Sequence, residues 1–420
     1  MEFRPNPLLY GASEDFYSTF KLVVTMKDPV DYPILQKAVH SAMKRYPYFS
    51  VCPQKTGNTL RLQLNQAPVP VFPHGRCVVL GGEECHGHLL AFGCEERKIL
   101  LHASHFIADG MGITPLLMTV LFLYISEKYG TQGINPKGIS LPDDPVREEE
   151  YAYPFPEEPI DLKGEEEKKQ SEKRVYSLDP NAFDDKGLYA YHLRIPQKEM
   201  MQVANPSDGS PVSFLSVTLF RALCQLEPEL SHRVVGHVQH QYRAALNVPM
   251  NRHSLVSYIP VSFSPAMNNR PVELQNTVIR GQIILGSEQE QDLYAVNRLC
   301  SVFKKSNAQS FEEKQQAMKE YVANSTHGKT FGISYVGKMD WRGMDQYLED
   351  FHAYIGEKTT PNMLLIEVMT VGEDFSLNVM QSGKGTRYVD AFMEQLERLG
   401  IPVGITGEER YTLCDTKFSY

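Results

Sequence analysis

At 420 residues the chain is longer than one hydrophobic core usually organises, so two domains or one unusually large one are expected. Lys and Arg total 42 against 51 Asp and Glu, and the net charge of −9 argues against general affinity for nucleic acid or an anionic membrane. Apolar residues at 42% with 10% aromatic describe a globular interior, and no uninterrupted apolar run approaches the 18 or so residues of a membrane span.

The opening MEFRPNPLLYGASEDF lacks the basic start and apolar stretch of a signal peptide, so a cytoplasmic location is expected. Seven cysteines, none in a CxxC pair, suggest reduced thiols instead of a disulfide framework or a zinc ribbon. Cys85, His86 and His88 cluster without a distant fourth ligand, and no metal is expected.

Phe20, Leu22, Val24 and Met26 alternate with Lys21, Val23 and Thr25, the period of a strand with one dominant buried face. A helix follows: Asp31 and Pro33 are start signals, Leu35, Ala38, Val39, Ala42, Met43 and Tyr46 keep helical spacing, and Pro47 ends it. CVVL, HLLAF and KILLHASHF look like successive strands separated by turns. After Gly112 the period changes, and Ile113, Leu116, Leu117, Val120, Leu121, Tyr124 and Ile125 mark an amphipathic helix with Pro115 in its first turn.

From Pro142 to Arg174 composition shifts abruptly. This segment holds twelve acids, six bases and five prolines, contributes −6 of the −9 charge, and reads as a solvated crossover running over the outside. It divides the chain into 1–141, a crossover 142–174 and 175–420. Beyond it, LYAYHLRIP reads as a strand and PVSFLSVTLFRALCQL as a helix capped by Ser210. Strands VVGHVQH and SYIPVSF, a helical region around 289–324, strands TFGISYVG, NMLLIEVMTV and FSLNVMQ, and a helix through RYVDAFMEQLERLG complete it. Interspersed strands and helices in both parts imply an α/β class, with mixed sheets layered under helices.

The chemistry concentrates in ILLHASHFIADGMGI, residues 99–113. A strand delivers His105 to its end, and Asp109 and Gly110 form a turn before the apolar helix. An imidazole near neutral pKa is the preferred general base for a hydroxyl or amine, Gly110 is read as supplying backbone freedom to that turn, and Asp109 as holding it through amides or an arginine. His102, three positions back along the strand, points away from the place a neighbour of His105 would occupy and reads as structural. His237 and His240 are read either as lining a substrate passage or as polar side chains of an exposed strand and turn, and His253 and Arg252 as alternatives for substrate contact or the ion pair. No GxSxG elbow, Walker or GxGxxG spacing is present.

HFIADG resembles the HxxxDG motif of the chloramphenicol acetyltransferase-like superfamily of CoA- and carrier-dependent acyltransferases, which includes condensation domains and alcohol acetyltransferases. The resemblance extends to FKLVVTM, LQKAVHSAMKRYP and PLLMTVLFLYI, to VQHQYRAAL, and to TFGISYVGKMD, which is similar to an "S-N-x-G" strand. It implies two lobes forming a pseudo-dimer with an interlobe tunnel, His105 as catalytic base midway along it, and Asp109 and Gly110 as structural, with Arg243 the salt-bridge partner of Asp109. It further implies an acyl-CoA or phosphopantetheine thioester as co-substrate, no permanently bound cofactor, an alcohol or amine acceptor, an acyl carrier protein as an alternative donor, and a monomer. A degenerate binding protein is the remaining alternative. Two positions depart from the pattern: Ser104 replaces the histidine that condensation domains place before the catalytic one, and Tyr335 replaces the strand asparagine, leaving Ser334 and Tyr335 as candidate oxyanion or substrate contacts.

Overall fold

A computed structural model describes residues 2–3, 7–12, 18–162, 175–306, 308–326, 328–356 and 364–417. Two sheet-based lobes face each other. In the N-terminal lobe a five-stranded sheet runs in the order Leu348–Tyr354, Thr19–Met26, Lys98–Ser104, Leu90–Glu95 and Val71–Phe72. A smaller sheet of Glu2–Phe3, Thr59–Leu64 and Val51–Thr56 extends this lobe. In the C-terminal lobe seven strands are ordered Val256–Phe263, Val234–Gln241, Phe331–Tyr335, Leu364–Val371, Asp374–Gly383, Lys186–Pro196 and Gly404–Tyr411.

Local chemistry explains the helix limits. Asp31 caps the helix Tyr32–Met43 by accepting from the Ile34 amide at 3.1 Å, and Pro47 opens a separate 3-10 turn. Ser210 and Ser213 form a reciprocal capping box at the start of Pro211–Leu226, with Pro211 at the first helical position. The helix Gly110–Tyr129 departs from the expected amphipathic pattern: Thr119 and Phe122 are buried along with the whole predicted face. Helix Tyr32–Met43 packs against it, and Thr119 donates to the carbonyl of Ser140, just before the crossover, at 2.7 Å, so it is apolar because it is covered on several sides. By length and composition it is also, among the described residues, the one helix apolar enough to cross a membrane; here its apolar side chains belong to the N-terminal core.

The lobes interlock. Leu348–Tyr354 pairs antiparallel with Thr19–Met26, so a late segment completes the early sheet, and helices Gln289–Ser306 and Phe311–Thr326 pack on the same core through Val296, Leu299, Phe303, Phe311 and Met318. Thr19–Met26 is buried on both faces, not on one: Val23 and Leu100 meet Ala190, Leu365 and Met380 of the seven-stranded sheet. Polar bonds cross the same plane, with Asn378 donating to the Ala353 carbonyl at 2.8 Å and Ser376 to Asp350 at 2.5 Å.

Two further sequence expectations fail. CVVL forms no strand; Leu80 makes one isolated bridge, to Thr416 of the C-terminal tail. The crossover is not wholly solvated. Glu150 is fully buried, clamped by both terminal nitrogens of Arg45 and by the Tyr48 hydroxyl at 2.6 Å, while Tyr151 and Phe155 pack on Phe3, Tyr48 and Phe303. Aromatic residues interleaved with the acids supply the surface that docks it, and a cation on the opposing helix end neutralises the one carboxylate taken inside. Residues 163–174 of that segment lie outside the described residues.

Candidate active site

His105 sits one residue past the strand Lys98–Ser104, in a turn that leads directly into Gly110–Tyr129. Its amide donates to the Ser18 carbonyl at 2.7 Å, at the mouth of the adjoining strand, and its ring lies against Phe20 with centroids 4.5 Å apart. The ring is half-buried. Burial pushes its pKa below the ordinary histidine value, opposed by the Asp109 charge and a backbone bond at Ala108, so the neutral, proton-accepting form prevails at neutral pH. Ser104 turns inward, and its hydroxyl accepts from the Phe106 amide at 3.3 Å, bracing the turn.

Asp109 is 1% exposed and serves both backbone and charge. As the helix N-cap it accepts from the Gly112 amide at 2.7 Å; it also accepts from the Leu255 amide at 2.9 Å and from both terminal nitrogens of Arg243 at 2.8 Å. Arg243 completes its set with the carbonyls of Asn251 at 2.9 Å and His253 at 2.8 Å and with Gln241 Oε1 at 3.1 Å. All five guanidinium donors are thereby satisfied. The same platform reaches the crossover, because Arg252 donates its amide to the Glu150 carbonyl at 2.8 Å and Asn251 its side-chain amide to Ala152 at 2.7 Å.

The C-terminal lobe approaches this turn through Phe331–Tyr335. A Cβ on Gly110 would stand 3.7 Å from Val336 Cγ1, just beyond the end of that strand. Ile333 belongs to the C-terminal core, so Ser334 faces the lobe interface, in register with Glu367 and hydrogen-bonded to it.

No family model and no curated protein sequence matches the chain. Solved structures do. TRI101 of F. sporotrichioides, complexed with coenzyme A and T-2, aligns over 97% of this chain and 100% of its own at 10% identity with a TM-score of 0.59. The condensation domain of the Monacolin K polyketide synthase MokA aligns over 95% and 96% at 11% identity and 0.56. Polyketide synthase associated protein 5 from Mycobacterium tuberculosis aligns over 92% and 96% at 11% identity and 0.55. The chain has the two-lobed fold of the chloramphenicol acetyltransferase-like proteins.

Within that fold the predicted residues separate. His105, Asp109 and Arg243 come together, whereas Tyr335 lies on the opposite strand face from Ser334, packed edge-on against Phe375 with centroids 5.9 Å apart. Strand alternation takes its side chain away from the lobe interface. Gly110 is an ordinary first helical residue without a positive φ. The glycine that the site requires is Gly112, where a Cβ would overlap the Arg252 carbonyl oxygen and stand 3.3 Å from Arg243 Nη2. Gly112→Ala is therefore expected to destabilise the fold by about 1–3 kcal/mol and depress turnover, with Gly110→Ala close to wild type; paired melting curves check this.

The other histidines fill structural places. His240 meets Asp292 at 2.9 Å, and His237 stacks on Tyr258 with centroids 4.4 Å apart. His253, pushed down to about 4 by burial, holds Asn251 through its Nδ1 at 3.0 Å while its carbonyl supports Arg243. His102 is buried with Nδ1 3.2 Å from Cys414 Sγ, and burial pushes its pKa down to about 3.

Sequence reasoning missed Glu367, a buried carboxyl within an apolar strand, pushed up to about 7 by burial against the opposing hydrogen bond from Ser334. Since 4.5 is its ordinary value, the folded state holds this proton more tightly than the unfolded one. The resulting stability is fully present below pH 4.5 and lost as pH rises through about 7. Glu367→Gln is expected to raise stability above pH 7, by on the order of 3 kcal/mol, with a smaller effect at low pH. Urea titrations at low and high pH measure the difference, and an equal change at both would contradict it.

Proposed function

We propose that the protein is an acyltransferase that moves an acyl group from acyl-CoA to an alcohol or amine, with His105 as general base and no covalent acyl-enzyme. The observation that carries this reading is the placement of half-buried His105 on a turn fixed by the Asp109–Arg243 pair, in a fold shared with a protein crystallised with coenzyme A.

As the acceptor oxygen or nitrogen attacks the thioester carbonyl carbon, His105 takes the acceptor proton; collapse of the tetrahedral intermediate breaks the C–S bond, and the imidazolium returns the proton to the leaving thiolate. Asp109 exchanges no proton and holds the turn through Arg243. Ser334, on the interface face, is the side-chain candidate for stabilising the oxyanion, a role that needs a donor about 3 Å from the developing charge and so requires its hydroxyl to turn from Glu367 toward the thioester carbonyl. Likeness to condensation domains favours one second reading, in which an acyl carrier protein delivers the thioester on a phosphopantetheine arm. A panel of acyl-CoAs, offered with and without a loaded carrier, separates the two: product from CoA thioesters alone eliminates the carrier-only model. Cytoplasmic location and action as a monomer complete the proposal.

A further inference from the structure

The C-terminal tail brings together three soft-metal ligands that are far apart in sequence. Cys77 follows the short strand Val71–Phe72, His102 lies within Lys98–Ser104, and Cys414 lies beyond the last strand, Gly404–Tyr411. Their ligating atoms all lie within 4.8 Å of one another, with His102 Nδ1 and Cys414 Sγ at 3.2 Å. Tetrahedral zinc, with bonds of about 2.0–2.3 Å, separates its N and S ligands by roughly 3.5–3.8 Å, so small side-chain rotations would suffice. His102 and Cys414 are buried and Cys77 is half-buried, its Sγ 3.1 Å from the Thr412 hydroxyl.

The backbone around the cluster is already fixed. The Leu80 amide donates to the Asp415 carbonyl at 2.9 Å, the Lys417 amide to the Leu80 carbonyl at 3.0 Å, and the Val78 amide to Cys414 Sγ at 3.4 Å. Lys21, opposite His102 in the strand register, is buried beside the cluster. Two sulfurs and an imidazole select a thiophilic divalent ion over calcium or magnesium.

We propose that Cys77, His102 and Cys414 form a zinc-type site that pins the C-terminal tail to the N-terminal lobe, with water in the fourth position. Binding releases the two thiol protons to solvent as two sulfur–metal bonds form. The tail so held lies against the base of the catalytic turn: Thr19 donates to the Cys414 carbonyl and Ser18 to Thr416, while the Ser18 carbonyl accepts from the His105 amide. The site is thus a structural clamp beside His105, outside the acyl-transfer chemistry.

Cobalt(II) titrated into reduced, metal-stripped protein provides the test. One equivalent should produce thiolate-to-cobalt charge-transfer absorption, displaced by zinc, and Cys77→Ser or Cys414→Ser should weaken binding at least about 100-fold. In unmutated protein zinc should shield these two thiols from iodoacetamide, mapped by mass spectrometry, so the test survives any variant that fails to fold. No charge-transfer band, a band unchanged in both serine variants, or alkylation unaffected by zinc would overturn the proposal. So would a Cys77–Cys414 disulfide persisting under reductant, seen as a mass lower by two hydrogens.

Discussion

Replacing His105 by alanine is expected to lower kcat/KM by about 10²–10⁴-fold with the melting temperature little changed. The imidazole contributes little to the fold. Its anchoring bond is made by the backbone amide, which alanine keeps, and the ring lies against Phe20. The pH profile of the wild-type enzyme tests the same assignment through a different quantity. Burial lowers the pKa of His105, so the proton-accepting form persists to lower pH than in a free histidine. The rate should hold level from neutral pH upward and fall only as pH drops through a value below 6.5. An acid limb centred above 6.5 would mean that another group limits the reaction.

Removing Arg243 is expected to be the most destabilising single change at the site. Arg243→Ala leaves Asp109 buried without its cation and strips the acceptors at Gln241, Asn251 and His253, for a loss of about 3–5 kcal/mol together with most of the activity. Arg243→Lys should recover only part of it, because a point ammonium cannot span both carboxylate oxygens and two carbonyls at once. Asp109→Asn separates charge from capping: an asparagine still accepts from the Gly112 amide, so the helix start survives while Arg243 is left unpaired. Urea denaturation of the single and double variants gives the coupling. A double Ala variant much less destabilised than the sum of its singles is the expected outcome, and strict additivity would show that the two residues do not act as a unit.

How much of this was legible in sequence depended on whether the determinant was local. Asp31 and Pro33 start the first helix, which stops at Met43, short of the expected Tyr46 and Pro47; Ser210 caps its helix, and the strand before His105 ends where its apolar run ends. The Asp109–Arg243 pair spans 134 positions, and only the resemblance to a known motif pointed to it. Leu348–Tyr354 was invisible because LEDFHAY places Asp350 and His352 where a buried strand should be apolar; Arg194 and Ser376, from the other lobe, make those positions tolerable. Gly404–Tyr411, with two glutamates and an arginine, is an edge strand, where polarity is the rule and the period weakens. The sequence points to Gly110 as the glycine of the turn, whereas it is Gly112 whose missing Cβ leaves room for the Arg252 carbonyl, a contact 140 positions away in the chain. Glu150 was one acid among twelve, distinguished only by Arg45 and Tyr48 on a segment a hundred residues away.

The central claim is direct transfer from a CoA thioester by His105, and thiol release measured across an acyl-CoA panel tests it most directly. With alcohols and amines present, purified protein should release free CoA at a rate that depends on the acceptor, His105→Ala should abolish that release, and intact-protein mass spectrometry should find no acylated chain. Release independent of acceptor with an acylated protein accumulating, or full turnover by folded His105→Ala, would contradict the account.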